Sequence, residues 1–147
     1  MQDNITTRAA RFSDVDHIFM HVSKVTEAEV MASGVGHQGL YDYVIRQMEA
    51  FPAIAAVYQG EPIAILGVER GGDNDLFTWF ISAETYFELG HKSARFGRKF
   101  MKTLMKVHSG KRVLSVSSSP HPDAARWFRL MGGKQISEYE GTKVFEF

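Results

Sequence analysis

The stretch FTWFISAETYFELGHKSARFGRKFMK, residues 77–102, joins two patterns of different period. Its start, extended by Leu76 to "LFTWFIS", is a short apolar and aromatic run and reads as a strand. Its end begins a long helix to about His108, with Phe96, Phe100, Leu104 and Val107 on one face. "RVLSVSSS" (112–119) then reads as a second strand. A strand–helix–strand unit of this kind requires a parallel strand pair joined by a right-handed crossover. That unit sets the fold class as α/β.

The flanking chain fills in the rest. "ITTRAARF" (5–12) reads as a short opening strand, and Ser13-Asp14 as the N-cap of a helix over "VDHIFMHVSK" (15–24). Val15, Ile18, Phe19 and Val22 share a face of that helix. "TEAEVMASG" continues helical and stops at Gly34. "GLYDYVIRQMEAF" (39–51) is amphipathic and ends before Pro52. "AIAAVYQ" and "PIAILGVE", separated by Gly60-Glu61, read as a β-hairpin, and "GGDND" (71–75) as a turn into "LFTWFIS". "PDAARWFRLMG" (122–132) is a helix, and "KVFEF" a final strand. The order β-α-α-β-β-β-α-β-α-β predicts a mixed, mostly antiparallel sheet with helices on both faces, in one domain over residues 1–147.

Composition narrows the function classes. The chain has 147 residues, 44% hydrophobic and 12% aromatic, enough for a substantial core and unlike a disordered chain. The formal net charge is zero, so the overall balance points to neither a nucleic-acid nor a membrane partner. There is no cysteine, which excludes disulfides, thiolate metal sites and a cysteine nucleophile. The polar N-terminus lacks a signal-peptide core, and no apolar run nears the ~18 residues that span a bilayer. The expectation is a soluble cytoplasmic protein.

The charge is unevenly spread. Lys92, Arg95, Arg98, Lys99, Lys102, Lys106, Lys111 and Arg112 occur with no acidic residue between Glu88 and Asp123. Such a one-sign run is a solvated helix face or a site for an anion: cofactor phosphates, nucleic acid or an acidic protein. The junction "GHKSARFGRK" (90–99) also lies where a helix N-terminus offers unpaired N–H groups and partial positive charge.

The element order, "KSARFG" at this junction and "DAARWFRLMGG" (123–133) resemble the GNAT (Gcn5-related N-acetyltransferase) superfamily. The resemblance covers nearly the whole chain. It implies the GNAT-like acyl-CoA N-acyltransferase fold, acetyl-CoA as acyl donor and an amine as acceptor. In its terms Lys92 stands at the Q/R position of the pyrophosphate loop, Arg95 at the middle glycine and Gly97 at the last one. The implied cofactor-binding residues are thus Lys92, Ser93, Ala94, Arg95, Phe96, Gly97 and Arg98. Arg95 leaves two readings, a phosphate clamp or a plug in the groove. "HVSKVTEAEVMASG", "GEPIAILGVE", residues 77–102 and "AARWFRLMGG", taken together, also look like small GNAT-like proteins of tailed bacteriophages. That narrower likeness implies a phage-encoded protein in the cytoplasm of a bacterial host.

Acetyl transfer to an amine needs a base and an oxyanion site, often with a tyrosine to protonate the thiolate. Phe128 occupies the position where the family carries that tyrosine, so this chain has no phenol there. Candidate bases are Glu69, near the end of the second hairpin strand, and Glu84, just after "FTWFIS". Glu27 and Glu29 lie in the stretch that resembles the phage proteins, and an exposed helix face explains them equally well; Asp73 and Asp75 read as turn residues. His17 and His21 are four apart but lack the HExxH context, and no metal is expected. The alternative to an enzyme is a catalytically silent phage protein, in virion assembly or host takeover, binding an anionic partner through residues 92–112. Nucleic acid is the less favoured partner, and a homodimer is compatible with either role.

Overall fold

The structure is a computed structural model that describes residues 4–70 and 73–147. Gly71 and Gly72, in the expected turn, lie outside the described residues. The elements are β1 (Thr6–Ala9), α1 (Phe12–Met20), α2 (Lys24–Ser33), α3 (Gly36–Ala50), β2 (Ile54–Tyr58), β3 (Glu61–Arg70), β4 (Asp75–Ser82), α4 (Glu84–Glu88), α5 (His91–Val107), β5 (Arg112–Ser117), α6 (Pro122–Leu130), β6 (Lys134–Tyr139) and β7 (Thr142–Glu146). The strands form one sheet in the order β1-β2-β3-β4-β5-β7-β6. Every neighbouring pair is antiparallel except β4 and β5, the parallel pair that the sequence requires.

Side chains alternate across β3 and β4, so each face of the sheet gains its own core. Ala64, Leu66 and Leu76 join Tyr86, Met101, Val113, Trp127 and Phe145 under α4, α5 and α6. Ile65 and Ile81 join Val15, Ile18 and Val44 under α1 and α3. Two tight turns set the hairpin registers. Gln59 and Gly60 both take positive φ (50° and 81°) between Tyr58 and Glu61, as do Glu140 and Gly141 (49° and 84°) between Tyr139 and Thr142. Positive φ at both central residues matches the right-handed twist of the flanking strands.

Several local features differ from the sequence expectation, among them Val107, which is 69% exposed at the end of α5 rather than part of its core face. Ser13-Asp14 is not the cap of α1. The cap is Arg11, and Asp14 acts from one turn inside, accepting the Arg11 N–H at 2.8 Å and both guanidinium nitrogens of Arg8 at 2.7 and 2.8 Å. The helix expected to run on from residue 15 breaks at 21–23, because Val22 bridges to Ala83 and the Ser23 N–H donates to the Ser82 carbonyl at 2.9 Å. Ser23 then caps α2, its Oγ accepting the Thr26 N–H at 3.1 Å. Finally, α4 and β6 are additional elements. β6 is an exposed edge strand without an apolar alternation.

Asp14 is 4% exposed. Burial pushes its carboxyl up, but the hydrogen bonds from Arg8 and Arg11 and their charges outweigh that and hold it below its ordinary value. A depressed pKa stabilises the fold above the unfolded-state value and is lost as pH falls through the folded one. Asp14→Asn should cost about 1–3 kcal/mol at neutral pH. It should also flatten the loss of stability below about pH 4, read by thermal unfolding across pH.

Candidate functional site

The β4/β5 ladder is short. Asp75 to Thr78 pair with Arg112 to Ser115, and no pairing between the two strands follows. From there β4 stays with β3 through Ser82, while β5 stays with β7 through Ser117. The strands part, and a cavity of about 460 Å³ opens between them. Phe77, Trp79, Leu40, Tyr43 and Glu69 line it from the α1–α3 side. Phe80, Phe100, Met101, Phe128 and Met131 line it from the α4–α6 side.

Parted strands leave backbone donors that a ladder would have satisfied. Side chains of α2 take that role. Thr26 Oγ1 accepts the Ser82 N–H at 3.3 Å at the end of β4. Both oxygens of Glu29 accept the Ser118 N–H, at 3.0 and 2.9 Å, just past β5, and Ser117 Oγ donates to Glu29 at 3.4 Å. Ser23 Oγ bonds Ser82 Oγ at 2.9 Å, and Ser119 Oγ donates to the Val25 carbonyl at 3.2 Å. Helix α2 therefore straddles the gap with bonds to both strand ends. Glu29 lines the cavity. Burial raises its carboxyl above the ordinary value, against the hydrogen bonds from Ser118, Ser117 and Ser119.

Glu69 is the second carboxylate of the cavity and accepts the Tyr43 hydroxyl at 2.6 Å. Burial, then the Glu69 carboxylate, push that hydroxyl well up, so Tyr43 remains a donor. Trp79 lies across Gly67, where an added Cβ would meet the indole at 2.3 Å; only glycine admits this packing. Its buried indole N–H has no hydrogen-bond partner. Thr78 and Ser115 hydroxyls bond each other at the last rung of the ladder. Among the described residues, the cavity lining includes no lysine, arginine or histidine.

The sequence-predicted residues divide. Glu69 lies in the cavity. Glu84 is outside its lining and accepts the Lys24 N–H at 2.8 Å, at the start of α2. Glu29, read from sequence as a plain helix-face residue, lines the cavity. The signal for it was its place on the turn after Val25 and Thr26, which are buried.

Residues 92–98 lie within the first two turns of α5, after the short helix α4. Ser93 is fully buried and its Oγ donates to the Tyr86 carbonyl at 2.5 Å. Gly97 is the close-approach point between α5 and α6, since a Cβ there would meet Met131 Sδ at 2.6 Å and Trp127 at 3.1 Å. Phe96 stacks on Phe100. Arg98 donates to the Leu130 carbonyl through Nε and Nη2, at 3.1 and 2.7 Å. Lys92 Nζ stands 5.4 Å from the Tyr58 ring centroid. Arg95 is exposed and lines neither cavity. A smaller hollow of about 280 Å³ sits between the start of α5 and α6, lined by Phe87, Gly90, His91, Ala94, Asp123, Arg126, Trp127 and Leu130.

His17 and His21 stack with ring centroids 5.1 Å apart, and His17 Nε2 lies 3.2 Å from Glu61. Among the described residues, no group of three or more His, Asp or Glu is placed to hold a metal ion. No helix among them is long and apolar enough to cross a membrane.

No protein-family model matches the chain. No curated protein matches its sequence. Solved structures do match its shape. A GNAT-family acetyltransferase from Bacillus anthracis superposes with a TM-score of 0.71 at 12% identity, over 100% of this chain and 96% of that one. A GNAT-superfamily phosphinothricin acetyltransferase from Sinorhizobium meliloti, solved in complex with AcCoA, gives 0.65 at 12% identity, over 98% and 88%. The protein yncA from Salmonella typhimurium, solved with its cofactor acetyl-CoA, gives 0.57 at 16% identity, over 99% and 94%. With its single parallel pair parting at the centre of a mostly antiparallel sheet, this chain has the GNAT acetyltransferase fold.

Proposed function

We propose that this protein is an acyl-CoA N-acyltransferase that moves an acetyl group from acetyl-CoA to an amine. The observation that carries the proposal is the cavity between β4 and β5, lined from both faces of the sheet and holding Glu29 and Glu69. Acetyl-CoA would supply the activated thioester. Lys92 and Arg95 on the first turns of α5, with His91 and Arg126 of the smaller hollow, would hold its phosphates beside the α5 N-terminus, and Gly90 and Ala94 would line that hollow. Ser93, Phe96, Gly97 and Arg98 would shape that end of the helix through their bonds and packing, rather than touch the phosphates.

The residues of the cavity divide the remaining work. Glu69, fixed by the Tyr43 hydroxyl, attracts the substrate ammonium. Glu29, its carboxyl raised by burial, takes the proton from that ammonium. The freed amine then attacks the acyl carbon, the C–N bond forms and the C–S bond breaks. The surplus proton of the nitrogen passes through water to the departing sulfur, since Phe128 has none to give. Thiolates leave readily, so the missing phenol slows this step without stopping it. Glu84, spent on α2, takes no part in this scheme.

A second reading is a silent GNAT-fold protein of a tailed bacteriophage, acting by binding alone in virion assembly or host takeover. Packing beside α6 favours it: Phe80, Tyr86, Phe87 and Trp127 form a continuous aromatic cluster where a cofactor arm would otherwise need room.

Calorimetric titration with acetyl-CoA separates the two. The enzymatic reading expects saturable heat, and silence at millimolar acetyl-CoA overturns it in favour of the second. With an accepted amine, Glu29→Gln should lower kcat by about 10²–10⁴-fold. Glu69→Gln should act chiefly on KM.

The raised Glu29 carboxyl also has a stability signature. A raised folded pKa favours folding below the unfolded value, and that contribution is lost as pH rises through the folded one. Thermal unfolding of the wild type should therefore show a loss across that window, starting near pH 4.5, the ordinary value. Glu29→Gln should lack it. Equal pH profiles for the two proteins would contradict the assignment.

A further inference from the structure

Helix α5 has two contrasting sides. Phe96, Phe100 and Leu104 pack into the core beside buried Gly97 and Met101. Away from them, Arg95, Lys99, Lys102 and Lys106 are all exposed. They are spaced four, three and four residues apart, so they stand in one stripe along the helix. Lys92, three residues before Arg95, begins the same stripe with its ammonium near the Tyr58 ring. Arg98 is turned away onto the Leu130 carbonyl, and Arg112 pairs with Asp75 at 2.9 Å. No acidic residue occurs between Glu88 and Asp123 to interrupt the stripe from its own chain.

We propose that this stripe binds the phosphate backbone of double-stranded nucleic acid without sequence preference. From Lys92 to Lys106 the helix rises about 21 Å at ~1.5 Å per residue, the length of about six base pairs at ~3.4 Å each. Lysine predominates, and long flexible ammonium groups suit phosphate contacts that fix position without reading bases. A protein partner would call for an apolar, aromatic centre, and protein interfaces are depleted in lysine. The stripe has no such centre, because the aromatic residues of α5 face the core. A membrane surface would need the apolar side of the helix, which is buried. The stripe shares Lys92 and Arg95 with the helix end assigned to acetyl-CoA, whereas Lys99, Lys102 and Lys106 lie beyond that end and test it separately.

Fluorescence anisotropy of the full chain with a labelled mixed-sequence duplex of about 20 base pairs, between 50 and 200 mM salt, tests this. Binding should weaken with salt, log K falling against log salt with a slope of about −4 to −5. The triple substitution Lys99→Gln, Lys102→Gln and Lys106→Gln should reduce the slope to about −2 and the affinity at 50 mM salt at least tenfold. Acetyl-CoA titration of the same variant should match the wild type, so failure here and failure of the acyltransferase reading are told apart. Circular dichroism verifies the fold, and the single Lys102→Gln, expected to lower the slope by about 0.9, serves if the triple variant does not fold. No binding at about 100 µM protein and 50 mM salt overturns the proposal, as does a triple variant with the wild-type slope. Tighter binding to poly-glutamate or to anionic lipid vesicles than to the duplex overturns it as well, in favour of an acidic protein or a membrane.

Discussion

The end of the β4/β5 ladder at Thr78 and Ser115 governs the rest of the molecule. Continuing the ladder would have satisfied the facing edges cheaply, and stopping it strands polar backbone inside the protein. An unsatisfied buried group costs about 1–3 kcal/mol, so the opening is stable only if something else reaches those edges. Thr26 and Glu29 do so, one at each strand end, from a helix that begins where Ser23 bonds to Ser82. The break between α1 and α2 follows from this. A continuous helix through residues 21–23 could not have placed Ser23 and Val22 against Ser82 and Ala83. The same requirement brings a carboxylate into the cavity, so Glu29 serves the fold whatever chemistry it also performs.

On the other side of the sheet, close helix packing takes over residues that the sequence assigns to a phosphate loop. Gly97 reads as a glycine admitting a phosphate, but the contact it permits is with Met131 and Trp127. Ser93 is small and hydroxylated, as a loop residue should be, yet it is sealed against the Tyr86 carbonyl. The cause is α4. Once Glu84–Glu88 coil after β4, the chain turns at Gly90, with φ of 55°, and residues 92–98 fall inside α5. The choice between clamp and plug for Arg95 is thereby narrowed. An exposed side chain outside both cavities plugs neither.

What sequence made visible follows the physics of each element. The parallel crossover and the two-sided core were legible because buried strands and amphipathic helices write their periods into apolar residues such as Ile65, Ile81, Phe100 and Leu104. β6 was not, because an exposed edge strand carries no such period and its turn is Glu140-Gly141 rather than the Asn-Gly or Asp-Gly that marks a hairpin. The strand position of Glu69 marks it in the sequence as a residue that can reach a cleft, and it lines the cavity. The cavity position of Glu29 is not legible, because its partners, Ser117 and Ser118, are about ninety positions away along the chain, and a carboxylate bonded at such separation looks like any helix glutamate.

The zero net charge conceals a separation between the carboxylates of the cavity and the cations of the stripe. The carboxylates are inside the sheet in a cavity that no basic side chain lines among the described residues, and the cations of the stripe are outside on α5. At physiological salt the screening length is about 8 Å, so exposed lysines act weakly on anything beyond their own surface. The causes of the Glu29 shift agree with this, being burial and local hydrogen bonds with no contribution from an α5 cation. A polyanion on the stripe would therefore neutralise charges that the cavity does not feel. Had the same cations lined the cavity, they would have lowered the Glu29 carboxyl and weakened it as a base. Helix α5 gives the chain both sites by facing its aromatic residues inward and its cations outward.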